Sequence, residues 1–328
     1  KYDCVWVGSF FGAEKEIVKS KKIKYLAIPS GKLRKYLSFK NLFAPFFIFA
    51  GFIFSLFYLA VYRPKAVVVS GSFISVPLVW AGWLLGARVI VHQEDFKIGL
   101  AGRLTLPFAS AATFAFKETM EASGGRNKVW IGNPVRKIFI NPQGAERYKD
   151  RLPLILVLGG GLGAKKLNEE IIKIASELNG KARILHLTGK NKTPVVERSA
   201  FTTGQAIGFP TSNSKDYEQK EFLGDELAGA MAGADLIVSR AGLSTLGEIS
   251  ALSKPSILIP LPGVGQLENA VYFSKQKAAI LLEEKNINQL KKIILEILAN
   301  EKKREEMAKN AGKIFLPDAA EKLASFVN

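Results

Sequence analysis

The sequence predicts an α/β protein built from two doubly wound, parallel-sheet domains joined by a polar linker. Three observations carry that expectation. Strand-like apolar runs alternate with helical lengths over almost the whole chain. The alternation comes in two series, broken once by a charged stretch over residues 137–152. The chain has 328 residues, too many for one ordinary core and comfortable for two.

The first series opens on Cys4-Val5-Trp6-Val7, closed by Gly8. Further runs lie at 24–28, 66–69, 88–91 and 111–115. Each ends in Gly, Ser, Pro or a polar residue, as strands do where they feed loops at a sheet's carboxyl edge. Helical lengths at 74–85 and 97–108 separate them, and a long apolar segment occupies 41–62. The second series starts with Pro153-Leu-Ile-Leu-Val-Leu158 and continues with runs at 183–187, 235–238 and 256–259. Helical segments 164–178, 225–232, 244–252 and 266–277 lie among these. A last helix over 317–328 starts at Pro317-Asp318, a suitable opening. The expected division is therefore a first domain over 1–137, a linker over 138–152, a second domain over 153–316, and a C-terminal helix over 317–328 that packs back on the first domain. Two such domains facing one another place a ligand cleft at their carboxyl edges. No repeat of solenoid period is present.

Composition narrows the partners. Lys and Arg number 46 against 29 Asp and Glu, a formal charge of +17, yet 48% of residues are hydrophobic. That excludes a disordered polybasic tail and points to something anionic: nucleic acid, a phosphorylated small molecule or an anionic membrane. The single cysteine, Cys4, excludes a disulfide scaffold, a zinc ribbon and a CxxC redox site. Two distant histidines, His92 and His186, leave little material for zinc. No Asp-x-Asp occurs, so no metal clamp of that type is signalled, and no cofactor is expected. The chain opens on Lys1, directly before a strand, with no signal-peptide pattern, which reads as a beginning that lies further upstream.

Asn41 to Tyr62 carries no charge, while Lys32, Arg34, Lys35 and Lys40 precede it and Arg63 and Lys65 follow. As a helix it would run ~33 Å, enough on paper to cross a bilayer. Crossing conflicts with the strands on either side, which read as members of one sheet. A wholly buried core helix is a second reading. The favoured one is a helix whose outer face dips into the headgroup region, its basic flanks meeting anionic lipid. Pro45 reads as a first-turn residue, where a missing N–H costs little.

Five loops carry candidate chemistry. Gly159-Gly160-Gly161-Leu162-Gly163-Ala164 joins a strand to a helix, so its backbone can approach a diphosphate. It also matches a dinucleotide fingerprint, but the next strand ends His186-Leu187-Thr188-Gly189 without the carboxylate that a ribose needs, which disfavours NAD. Ser239-Arg240-Ala241-Gly242-Leu243-Ser244-Thr245-Leu246-Gly247-Glu248 opens another helix. Thr245-x-x-Glu248 is either a capping box or a phosphate site with a carboxylate aimed at vicinal hydroxyls. Gln266 and Asn269 share a helical face near an N-terminus, suited to sugar hydroxyls or to simple capping. Gly132-Asn133-Pro134-Val135-Arg136 offers an arginine for diphosphate, or only a surface arginine. His92-Gln93-Glu94-Asp95, just past strand 88–91, offers acid and base groups.

Taken together and in order, these loops resemble the MurG family of bacterial N-acetylglucosaminyltransferases. The resemblance runs from about residue 4 to the end and includes Ser70-Gly71-Ser72-Phe73-Ile74-Ser75-x-Pro77. It implies GT-B architecture, two facing Rossmann-like domains, with a hydrophobic, base-ringed patch on the first that sits on the cytoplasmic face of the cell membrane. It implies an inverting transfer of N-acetylglucosamine from UDP to undecaprenyl-diphospho-N-acetylmuramoyl-pentapeptide in cell-wall synthesis. The partners implied are UDP-N-acetylglucosamine, the lipid-linked acceptor and anionic lipid, with no nucleic acid. By the same resemblance Leu223 meets the uracil through its backbone and Glu248 the ribose. Leu243, Ser244, Thr245, Leu246 and Gly247 line the diphosphate and sugar, Gln266 and Asn269 contact the sugar, and Arg136 the nucleotide. Gly161 stands where the family usually has serine, Asp95 where it has asparagine and Gln93 where it usually has glutamate. The family begins with a further strand, a Gly-Gly-Thr-Gly-Gly-His loop and a helix. The strand at 4–7 matches the family's second: either the sequence is a fragment, with the family's base in a loop ahead of it, or this member has lost that loop, and Asp95 and Glu94 are the candidate bases on it. A glycosyltransferase acting on diacylglycerol, and a non-catalytic membrane-associated protein that binds nucleotide sugar, are the alternatives.

Overall fold

A computed structural model describes residues 3–12, 14–31, 39–125, 127–159, 164–189, 213–214, 216–263 and 265–328, with the side chains of 39–42 and 213–214 left aside. The chain divides into two compact units, Lys1–Ile131 with Glu321–Asn328, and Gly132–Ala320.

In the first unit, β1 (Val5–Ser9) and β2 (Lys24–Ile28) form a parallel pair with α1 (Glu14–Ser20) between them in the chain. A parallel four-stranded sheet follows in the order β3 (Ala66–Val69), β4 (Arg88–Gln93), β5 (Ala111–Phe114), β6 (Lys128–Trp130). Strands β3 and β4 are valine-rich, and Val67, Val69, Val89 and Val91 form a core with Val79 and Ala81 of α3 (Ser75–Leu84). The short helices α4 (Leu100–Thr105) and α5 (Lys117–Ala122) complete the crossovers. The strands flanking the apolar segment do not share a sheet, contrary to the sequence reading. Among the described residues β2 pairs only with β1, and β3 only with β4.

Between them runs α2 (Phe39–Tyr62), 24 residues long. Its buried stripe is Ala44, Ile48, Gly51, Ser55 and Leu59, a helical spacing. The stripe docks by close backbone approach: a Cβ on Gly51 would lie 2.4 Å from the Pro29 carbonyl oxygen, and one on Gly31 2.3 Å from that of Ala44. Tyr58 donates to the Ala27 carbonyl at 3.3 Å. On the other side Phe43, Phe46, Phe47, Phe49, Ile53, Phe54, Phe57 and Val61 are exposed. The helix starts earlier than expected, so Pro45 lies inside it rather than in its first turn.

The second unit holds a seven-stranded sheet in the order β13-β12-β11-β7-β8-β10-β9. These strands are β7 (Leu154–Leu158), β8 (Arg183–Leu187), β9 (Asn213–Ser214), β10 (Tyr217–Lys220), β11 (Leu236–Ser239), β12 (Ser256–Leu258) and β13 (Ala279–Leu281). All neighbours are parallel except β9 with β10. The amphipathic α7 (Lys165–Leu178) lays Leu167, Ile171, Ile174 and Leu178 on the sheet, and α11 (Leu290–Leu298) adds Leu290, Ile294 and Ile297. Also in this unit are α6 (Lys137–Ile140), α8 (Glu226–Gly233), α9 (Leu243–Ala251), α10 (Gln266–Lys275) and α12 (Glu301–Ala311). The terminal α13 (Ala319–Ser325) precedes Asn328, whose carbonyl accepts from Arg88 at 3.2 Å.

The stretch read as a linker is packed rather than loose. It contains α6 and a 3-10 turn at Ala145–Tyr148, and it lies against α8 at two glycines. A Cβ on Gly229 would meet the Gln143 carbonyl oxygen at 2.5 Å, and one on Gly233 that of Ala145 at 2.7 Å. The first unit ends at Ile131 rather than 137 because Asn133–Arg136 packs on α9.

Candidate functional site

Every candidate loop of the second unit leaves the carboxyl end of a parallel strand. Gly159 follows β7, Leu223 follows β10, Arg240 to Gly242 follow β11, and Ile259 to Gly265 follow β12. β7 lies between β8 and β11, so connections run opposite ways from it and leave a crevice at that edge. Gly159 is required there, since a Cβ would lie 2.8 Å from both Leu187 O and Asn168 Oδ1. Gly161 lies outside the described residues.

α9 begins at Gly242, its N-cap, and no side chain caps it. Leu243, Ser244 and Thr245 form its first turn, whose N–H groups favour an anion. Ser244 is exposed, Leu243 and Thr245 half-buried, and Leu246 and Gly247 buried. The capping-box reading of Thr245 and Glu248 fails, because both residues sit inside the helix and Gly242 takes the cap. Glu248 instead accepts from Arg136 Nη2 at 2.9 Å. Burial pushes its carboxyl above the ordinary value, and the arginine partly offsets that.

Gly247 is what lets the two meet. A Cβ there would lie 2.7 Å from Asn133 Nδ2 and 3.1 Å from Val135 Cγ2, so the bare backbone admits the 133–136 segment. Asn133 also donates to the Leu243 carbonyl at 3.2 Å, and the Arg136 guanidinium stacks 4.7 Å over Phe139. Sequence reasoning quoted Asn133 only as part of the Gly132–Arg136 motif, did not read Gly247 as a packing site, and missed Phe139. A glycine inside a helix was the available signal.

Gln266 spends its side-chain oxygen on the Leu261 N–H at 2.9 Å, closing the turn before α10. Its amide nitrogen lies 3.9 Å from where a Gly242 Cβ would be, so it borders the α9 N-terminus. Asn269 and Leu223 are buried. Arg240 is structural: it donates to the Ile259 carbonyl at 3.0 Å and to Glu284 Oε1 at 2.6 Å, a nearly buried ion pair. His186 is likewise a core residue, held by the Tyr217 hydroxyl at 2.9 Å and Asn168 Oδ1 at 3.1 Å, its pKa lowered by burial to about 4.

In the first unit, β4 extends through His92 and Gln93, which the sequence reading set beyond it, because both pair in register with Thr113 and Phe114 of β5. His92 is therefore buried, bonded through Nδ1 to Thr113 Oγ1 at 3.0 Å, with its pKa pushed down to about 4 by burial. It offers no proton shuttle near neutrality. Glu94 and Asp95 do reach the carboxyl edge. Glu94 is half-buried and raised above the ordinary carboxylate by burial, with a hydrogen bond to the Ser70 side chain opposing, while Asp95 is exposed. Among the described residues no cluster of three or more His, Cys, Asp or Glu is arranged to hold a metal.

The glycosyltransferase family 28 N-terminal domain matches residues 1–113, and the C-terminal domain of the same family matches 154–323. An enzyme of Clostridium kluyveri is 32% identical over 295 residues, 87% of this chain and 80% of its own. One of Bacillus cereus is 32% identical over 324 residues, 95% and 88%. Both are named UDP-N-acetylglucosamine–N-acetylmuramyl-(pentapeptide) pyrophosphoryl-undecaprenol N-acetylglucosamine transferase. Among solved structures, Acinetobacter baumannii MurG superposes with a TM-score of 0.74 at 23% identity, covering 98% of this chain and 90% of its own. A putative UDP-N-acetylglucosamine 2-epimerase of Listeria monocytogenes gives 0.64 at 15%, covering 94% and 84%. These likenesses bear on the fold alone, and the parallel α/β architecture agrees with them.

Proposed function

Because the chain belongs to glycosyltransferase family 28, we propose its reaction and the roles of its residues from that membership and the geometry above. The protein is a UDP-sugar-dependent glycosyltransferase. It transfers N-acetylglucosamine from UDP to undecaprenyl-diphospho-N-acetylmuramoyl-pentapeptide, converting lipid I to lipid II in peptidoglycan synthesis. The observation that carries this is 32% identity, over 87% and 95% of the chain, to enzymes named for that transfer.

The second unit takes the donor. The first-turn N–H groups of α9 receive the diphosphate, with Leu243, Ser244, Thr245, Leu246 and Gly247 around it. Glu248 accepts from the ribose hydroxyls, Leu223 meets the uracil through its backbone, and Gln266 and Asn269 contact the sugar. Arg136 pairs with phosphate. It also pairs with Glu248, and since its side chain is 57% exposed, giving up that partner for a phosphate costs little. The acceptor lies on the first unit, where Asp95 or Glu94 takes the proton of the attacking hydroxyl as C1 inverts. Burial raises the Glu94 carboxyl above its ordinary value, which makes its carboxylate a stronger base than an exposed glutamate. The exposed phenylalanine face of α2 rests in one leaflet on the cytoplasmic side, with Arg63 and Lys65 meeting anionic headgroups. α2 is long and apolar enough to cross a membrane, but its docked stripe supports lying on the surface. Incubation with radiolabelled UDP-N-acetylglucosamine and lipid I in detergent should yield labelled lipid II. If the donor neither transfers nor shifts the melting temperature, the reading is wrong.

A further inference from the structure

The first unit contains an apolar groove of about 350 Å³ whose walls are Pro45, Ile48, Phe49 and Phe52 of α2 and Trp80 of α3. Trp80 turns its one polar atom away: Nε1 donates to the Leu104 carbonyl at 3.0 Å. The groove thus offers hydrocarbon and ring surface with no buried donor to satisfy. Its position is as specific as its lining. Ile48 packs in one cluster with Phe73, Val76, Trp80, Ala101 and Leu104. Phe73 lies in the loop after β3 that presents Ser70, the hydrogen-bond partner of Glu94. Ala101 is in α4, which follows the Glu94–Asp95 loop. The groove therefore adjoins the carboxyl-edge loops rather than the opposite end of α2, where Arg63 and Lys65 lie.

We propose that this groove holds the diphosphate-proximal isoprene units of the acceptor's polyprenyl chain. The inference rests on the reaction stated above, because that reaction requires an acceptor with such a chain. An apolar cavity of about 150 Å³ takes one benzene-sized guest, so this groove has room for roughly two isoprene units. Phe49 is 62% exposed and stands at the rim, where the chain passes from groove to bilayer. Seating the first units here fixes how far the diphosphate stands from Glu94 and Asp95, and it separates recognition of the acceptor from general adhesion of α2 to lipid.

The test is binding of geranyl phosphate to the full chain, below its micelle concentration and without vesicles, followed by tryptophan emission. Saturable binding is expected, with the signal lost in Trp80→Phe. Phe49→Ser should raise Kd roughly tenfold, while Phe57→Ser, outside the groove, leaves it unchanged and weakens only retention on anionic vesicles. All variants should bind UDP like the parent. Absence of saturable binding, or equal Kd values for the two serine variants, overturns the proposal. Equal affinity for decyl phosphate also overturns it and reassigns the groove to bilayer acyl chains. Failure of UDP-N-acetylglucosamine to bind, with geranyl phosphate still bound, would instead count against the donor reading.

Discussion

Arg136 and Glu248 are 112 residues apart in sequence, yet they meet at 2.9 Å. The sequence marked each as a candidate but gave no hint of their pairing, because the contact depends on Gly247, which reads in the sequence only as lining the diphosphate and sugar. Glu248→Gln should weaken UDP binding by about 1.5–3 kcal/mol, the range for hydrogen bonds to charged groups, with melting temperature little changed. Calorimetry beside a thermal melt measures both. Gly247→Val should lower stability by about 1–3 kcal/mol through overpacking, and it should weaken UDP binding as well by displacing Arg136. A loss of stability with affinity intact would contradict the packing account. The histidines give a pH signature. Both His92 and His186 have folded values near 4 against about 6.5 when unfolded. The unfolded chain therefore binds more protons between those values, so stability is full above pH 6.5 and falls as pH drops toward 4. The loss is of order 3 kcal/mol for each. Melts at pH 7 and 4.5 should show a smaller drop in His186→Gln than in the parent.

At the level of elements, strands of the parallel sheets were the most legible part. Their apolar runs are short and closed by turn residues, and β2 and β3 fall at 24–28 and 66–69 as expected. Short strands such as β6 and β13 lacked enough residues to show a pattern. The apolar segment was legible as a helix but not as to which face docks, since an apolar residue stands at almost every position and no periodicity survives. Its small residues, Ala44, Gly51 and Ser55, carried the information in their size. Gly51→Leu should therefore unseat α2 from β2 and lower the melting temperature. Replacing exposed Phe46 and Phe57 with serine should leave stability unchanged and release protein from anionic vesicles, as high salt should. Protein retained through a carbonate wash would show a crossing helix instead.

For the whole molecule, two units have separate cores, and under the proposed split of donor and acceptor binding, ligands should report on them separately. UDP at 100-fold above its Kd should stabilise the second unit by about 2.7 kcal/mol. In calorimetry one transition should move and the other stay, whereas a uniform shift would mean the units melt together.

The docked stripe of α2 has a consequence for how the enzyme searches for its substrate. A helix fastened along its length to α3, β2 and the segment just after β2 cannot swing freely, so its oily side emerges at a fixed tilt to the loops bearing Glu94 and Asp95. If the first unit rests on a leaflet as proposed, those loops ride at one altitude above the lipid. Hunting for a polyprenyl-anchored acceptor then becomes a planar walk in which height and heading are already set, and only lateral encounter remains to chance.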